Sequence, residues 1–169
     1  GSAAGETNLF ADSIFATPGN GADEHIHIGF NINRVDQLPD VAGVGATDTS
    51  PLSGDINLYA TSQVSLIANS PLGNANRNYI QVGHGGADDE VVNSITPAGQ
   101  ALSGDITVNT NALTLTGGGG NSDRYVMIGH MGREMQAAFI DSVNGDIDID
   151  ALTLFMSGGS GGNRNLAQI

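Results

Sequence analysis

Ser53-Gly54-Asp55-Ile56 reappears as Ser103-Gly104-Asp105-Ile106, and Gly145-Asp146-Ile147 repeats its core. Each copy runs on to a second recurring string, Tyr79-Ile-Gln-Val-Gly-His84 in one and Tyr125-Val-Met-Ile-Gly-His130 in the next. A chain that repeats itself at this period is an array, and its architecture follows from one unit. A degenerate first copy starts at Gly5-Glu6-Thr7-Asn8-Leu9-Phe10-Ala11, which aligns with Gly54-Asp55-Ile56-Asn57-Leu58-Tyr59-Ala60, and closes at His25-Ile26-His27-Ile28-Gly29-Phe30. A fourth runs from Gly145-Asp146 to Leu166-Ala167-Gln168-Ile169. By alignment a Gly and a His would come next, so we expect a fragment of a longer array.

Within a copy, short runs alternate apolar and polar residues with period 2, the mark of strands with one buried face. In the third copy they are Ile106-Thr-Val108, Leu113-Thr-Leu115 and Val126-Met-Ile128; in the fourth, Ile147-Asp-Ile149, Leu152-Thr-Leu154 and Ala167-Gln-Ile169. Gly117 to Gly120 and Gly158 to Gly162 punctuate the corner before the last run. No apolar stripe of period 3.6 persists, and glycines fall inside any helix drawn through the chain. The expectation is an all-β parallel β-solenoid (β-helix) of about four three-stranded coils. The coil cores are 5–30, 54–84, 104–130 and 145–169, all in a single unit spanning 1–169. Corner loop insertions at 31–53, 85–103 and 131–144 are 23, 19 and 14 residues long, so they vary while the cores barely do. About six inward aliphatic side chains per coil, each worth roughly 1.5–3 kcal/mol when buried, need neighbouring coils to cover them. Uncapped end coils would leave strand edges open to end-to-end self-association.

The chain of 169 residues carries 18 acidic and 5 basic residues, a net charge of −13. All the basic residues are Arg, at 34, 77, 124, 133 and 164. Such a surface repels phosphate backbones and anionic membranes, which argues against nucleic-acid partners. No apolar run reaches the roughly 18 residues of a membrane span, so no membrane insertion is expected. With 25 Gly, 16 Asn and no Cys, the composition suits tight turns and leaves the redox compartment open. The opening Gly1-Ser2 reads as an expression scar.

Stacking turns each repeated polar residue into a ladder with a spacing of about 4.8 Å. Asp55, Asp105 and Asp146, with Glu6 in the first copy, form an acidic ladder. Its like charges repel by roughly 1 kcal/mol per pair in water, so backbone N–H groups or a cation must offset them. An Asx-type turn cap and a calcium site are the two readings. His84 and His130, aligned with Phe30, form either a packed ring column or two ligands of an incomplete transition-metal site. Tyr79 and Tyr125, with His25 and Leu166, precede an inward aliphatic and should face outward. An exposed ladder there could take a sugar ring or a partner surface, or simply pack across strands. The stretch Gly117-Gly118-Gly119-Gly120-Asn121-Ser122-Asp123 is similar to a calcium-binding glycine nonapeptide. Asp123 falls one place late, however, and tight corners explain the glycines better.

There is no nucleophile elbow, zinc-binding His pair or phosphate loop, and no enzyme is expected. Asp148 and Asp150 share a face beside Asp146, the one place where a carbohydrate-active β-helix enzyme could keep carboxylates.

The repeated Ser-Gly-Asp-Ile, Leu-Thr-Leu, Gly-Gly and Tyr-x-x-Ile-Gly-His elements resemble the filamentous-haemagglutinin-type bacterial exoproteins. Those are β-solenoid passengers of autotransporter or two-partner secretion systems. The resemblance implies an extracellular or cell-surface adhesin or scaffold. Its partners would be a host or neighbouring-cell surface protein or glycan, together with neighbouring repeats. A structural subunit of an extracellular filament or surface layer is the alternative.

Overall fold

A computed structural model describes residues 3–19, 24–29, 52–68, 78–85, 100–119, 123–130, 140–161 and 163–169. Phe30 and most of the insertions at 31–53, 85–103 and 131–144 lie outside them. The described residues form twelve strands and no helix. These are β1 (Ala3–Ala4), β2 (Thr7–Ala16), β3 (His25–Ile28), β4 (Leu52–Ser53), β5 (Ile56–Ile67), β6 (Tyr79–Val82), β7 (Gln100–Ser103), β8 (Ile106–Thr116), β9 (Tyr125–Ile128), β10 (Ile140–Asn144), β11 (Ile147–Ser157) and β12 (Ala167–Gln168). They make three parallel sheets, each taking one strand from every copy. Sheet A is ordered β1-β4-β7-β10, sheet B β2-β5-β8-β11 and sheet C β3-β6-β9-β12. The chain therefore visits A, B and C in turn, four times over.

In-register pairing carries each sequence column through the sheet. Ile147, Ile106, Ile56 and Thr7 are successive partners, as are Leu154, Leu113, Val64 and Ile14. The aliphatic core is filled from sheet B by Ile56, Leu58, Val64, Leu66, Ile106, Val108, Leu113 and Leu115, and from sheet C by Ile80, Val82, Val126 and Ile128. These are the period-2 residues of the sequence, now facing one another.

The strands are distributed differently from the sequence expectation in two respects. Ile106–Val108 and Leu113–Leu115 are arms of one eleven-residue strand, β8, and are not separate elements. Between the arms the inward parity changes: Thr110 is buried, Asn111 is exposed, and Leu113 is buried again. Ladder register slips at the same level in the second sheet, between Ala11 and Ser13 and between Ala60 and Gln63. Side chains support the bend: the Asn111 amide donates to the Thr61 carbonyl at 2.8 Å, and the Thr153 hydroxyl to the Asn111 carbonyl at 3.3 Å. The third strand of each copy lies instead before the Gly-Asp pair. Residues 52–53, 100–103 and 140–144, assigned by sequence to the insertions, pair as sheet A.

Two glycine columns let the copies approach this closely. Gly54, Gly104 and Gly145 have φ of 145°, 134° and 139°. A Cβ at Gly104 would lie 2.1 Å from the Gly54 carbonyl oxygen, and one at Gly145 would lie 2.0 Å from that of Gly104. At the Gly-His corner, a Cβ on Gly83 would lie 1.9 Å from the Gly129 carbonyl oxygen. Backbone stands where any side chain would begin, so these positions admit glycine alone. Gly104→Ala combines a strained φ with a backbone collision and should cost about 3 kcal/mol or more. Gly119→Ala, whose Cβ would meet Ser160 no closer than 3.5 Å, should stay within about 0.5 kcal/mol of the parent. Urea denaturation of the two variants checks the contrast.

Candidate functional site

The acidic ladder is resolved by backbone donors. The Asp105 N–H donates to Asp55 Oδ1 at 3.0 Å, and the Asp146 N–H to Asp105 Oδ1 at 2.9 Å. Each carboxylate caps the next copy's turn, which offsets the repulsion between neighbours with a charge-assisted bond. In the first copy Glu6 departs from this pattern, and its Oε1 accepts from the Asn57 amide at 3.0 Å. The Asx-type reading thus has a geometric basis. Among the described residues no three His, Cys, Asp or Glu side chains form a cluster able to hold a metal ion. Asp105→Asn keeps an acceptor oxygen and removes one like charge, so its stability should match or exceed the parent's. Asp105→Ala leaves the Asp146 N–H without its cap and should lose about 1 kcal/mol. Thermal melts with and without added calcium separate this from a cation site, at which Asp105→Asn would abolish a calcium-dependent rise in midpoint.

His84 and His130 stack with ring centroids 5.0 Å apart. His130 Nε2 lies 2.7 Å from the Gly104 carbonyl oxygen, and its Nδ1 accepts the His84 backbone N–H at 3.0 Å. A carbonyl can only accept, so Nε2 carries the proton and Nδ1 supplies the lone pair. His84 Nε2 repeats the contact with the Gly54 carbonyl at 2.7 Å. The rings therefore tie the end of sheet C to the Gly-Asp corner that opens sheet B, closing each copy on itself. Both His130 nitrogens and the His84 Nε2 are committed to backbone, which leaves them poorly placed to ligate a transition metal.

Burial lowers the His84 pKa below its ordinary 6.5; the Gly54 hydrogen bond opposes the shift, His130 adds to it, and Asp55 opposes it. The unfolded chain therefore takes up a proton at a pH where the folded ring does not. The associated stability is complete above about pH 6.5 and is lost as the pH falls through the lower folded value. The melting temperature should be level near neutrality and fall as the solution is acidified below about pH 6.5. His84→Gln should start lower but lose less on acidification, which a pH series of melts of both proteins would show.

Tyr79 and Tyr125 correct the expectation of an exposed ladder. They face away from the aliphatic core, yet each is only 4% exposed. Their rings stack at 5.0 Å with planes 2° apart, and His25 continues the stack above Tyr79 at 4.8 Å. In-register parallel strands hold like rings at near-contact spacing, so each ring covers its neighbour's face. Met127 packs against the pair. His84 is likewise buried and His130 half-buried, so neither is the open platform a sugar would need. Asp148 and Asp150 are both exposed on β11, and Asp150 accepts from the Asn109 amide at 3.2 Å.

One polar cluster had no signal in the repeat strings. At the corner between sheets B and C, Asn78, Arg124 and Asn165 are buried in one column. Asn78 Oδ1 accepts the Glu24 N–H at 3.1 Å, Asn165 Oδ1 accepts the Arg124 N–H at 3.1 Å, and the Arg124 guanidinium donates to the Gly119 carbonyl at 2.6 Å. Beside it, Asp123 and Arg164 both adopt positive φ, 69° and 60°, and pair through two contacts of 2.6 and 3.0 Å. By sequence the same column holds Asp23 and Arg77 in the first two copies, both outside the described residues. It reads Asp, Arg, Asp, Arg along the array, a pattern visible only once the register is known.

The chain matches no protein-family model, no curated protein and no solved structure. Among the described residues no helix is long and apolar enough to cross a membrane.

Proposed function

We propose that the chain is a parallel β-solenoid segment of a secreted bacterial surface protein, a scaffold of the filamentous-haemagglutinin type that displays binding loops. The observation that carries this reading is where the insertions leave the stack. All three depart after a sheet C strand and return at a sheet A strand: from Ile28 to Leu52, Val82 to Gln100 and Ile128 to Ile140. Parallel in-register strands place these departure points in a row, about 4.8 Å apart, along one edge. The polar ladders, by contrast, are spent on joining one copy to the next. Loops on a rigid frame are where binding residues concentrate. The partner would be a protein or glycan on a host or neighbouring cell.

The strand assignments narrow the segments to remove to 31–51 and 86–99. Replacing each with a short Gly-Ser linker should keep the melting transition and abolish binding of the labelled protein to intact cells. Binding that survives both deletions and is lost on altering a sheet face would overturn the proposal.

A further inference from the structure

We infer that the His84–His130 contact is an acid-sensitive latch between the second and third copies, in which protonation of His130 frees the His84 backbone N–H at the root of the second insertion. The His84 N–H reaches His130 Nδ1 at 3.0 Å, and the bond needs the lone pair of a neutral ring. The ring's one proton sits on Nε2, which gives it to the Gly104 carbonyl at 2.7 Å. A second proton, taken from solvent, has only Nδ1 to occupy. There it confronts the His84 N–H, so two donors face each other and the bond between the copies is lost. The Gly104 contact survives, because Nε2 is a donor in both states.

The position of this bond gives the proton a structural effect. The Gly129 N–H reaches the Val82 carbonyl at 2.8 Å, a backbone-to-backbone bond that no ring titration touches. Two residues further along the second copy, at His84, the acceptor is a side chain that titrates. Glycines with positive φ flank His84, Gly83 at 154° and Gly85 at 123°. Neither carries a Cβ to resist a change of backbone torsion once the bond is gone.

Two carboxylates face the latch from the corner between sheets A and B. Asp55 follows Gly54, whose carbonyl lies 2.7 Å from His84 Nε2. Asp105 follows Gly104, with Asp146 beyond it on the same ladder. Burial, and His130 with it, works against charge on His84, while the Gly54 carbonyl and Asp55 favour it. The surrounding strands β4 to β9 carry no carboxylate or imidazole. Since the rings are stacked at 5.0 Å, charge on one also opposes charge on the other. The latch is therefore closed above the ordinary imidazole range, about pH 6.5, and opens as His130 gains its proton.

The inference goes beyond the scaffold reading and does not require that the insertions bind anything. Nuclear magnetic resonance of the full chain tests it, with imidazole nitrogen shifts reporting ring charge and amide exchange reporting the bond. Protection factors, corrected for the intrinsic pH dependence of exchange, are compared at about pH 7.5 and about pH 5, either side of the imidazole range. Protection of the His84 N–H should fall tenfold or more as His130 charges, while that of the Gly129 N–H holds. Unchanged His84 protection once His130 is charged would overturn the inference. So would an equal loss at Gly129, which would mean that the whole stack opens.

Three variants assign the effect to the His130 ring. His130→Asn puts an amide oxygen where the ring has Nδ1 and cannot titrate, so the His84 N–H should stay protected at both pH values. His130→Phe, the residue aligned at position 30, has no acceptor and should leave it unprotected at both. His84→Gln removes the buried ring but keeps the backbone donor, so the N–H of residue 84 should respond to pH as in the parent. A response abolished by His84→Gln, or retained in His130→Asn, would place the switch elsewhere and refute the latch.

Discussion

The carbonyl oxygen of Gly54 lies 2.1 Å from the point where a side chain on Gly104 would begin, and Gly104 stands in the same relation to Gly145. That approach is possible only because Gly104 and Gly145 carry no Cβ, and it holds successive copies at strand spacing at the corner between sheets A and B. A second column through Gly29, Gly83 and Gly129 does the same at the Gly-His corner. With two corners pinned at one height, the strands between them pair in register apart from local slips. The aliphatic columns then close into a core, and the polar columns have to tolerate their own copies directly above and below.

This last demand explains why the repeat looks like a binding signature. A residue stacked on itself survives only if it can act on both neighbours without conflict. Aspartate does so because its oxygen accepts while its own N–H donates, so one residue type makes a chain of bonds all running one way. Histidine does so by splitting its ring: Nδ1 takes an N–H from one copy and Nε2 gives to a carbonyl of its own. Tyrosine offers two faces. Arginine cannot stack on arginine at this spacing without repulsion, and at the corner before sheet C Arg164 stands against Asp123 instead. Recurrence in such a fold reports compatibility with self-stacking as strongly as it reports chemistry.

The all-β, parallel character was legible in Ile106-Thr-Val108, Leu113-Thr-Leu115 and Val126-Met-Ile128, because alternation with the core on one side follows from the pleat. Two features were not. Sheet A strands are short; Leu102 is buried, but a single apolar residue makes no alternating pattern, and they sit directly against long insertions. The junction of the two arms in β8 was hidden because its parity change resembles a break, although Asn111 and Thr153 keep the backbone bonded across it. The burial of Tyr79 and Tyr125 was missed for a different reason. Alternation tells which side of a strand faces the core, and the other side is not thereby wet. Gln81, on that same outer side, is fully buried as well, with its amide on the Gly129 carbonyl at 3.3 Å.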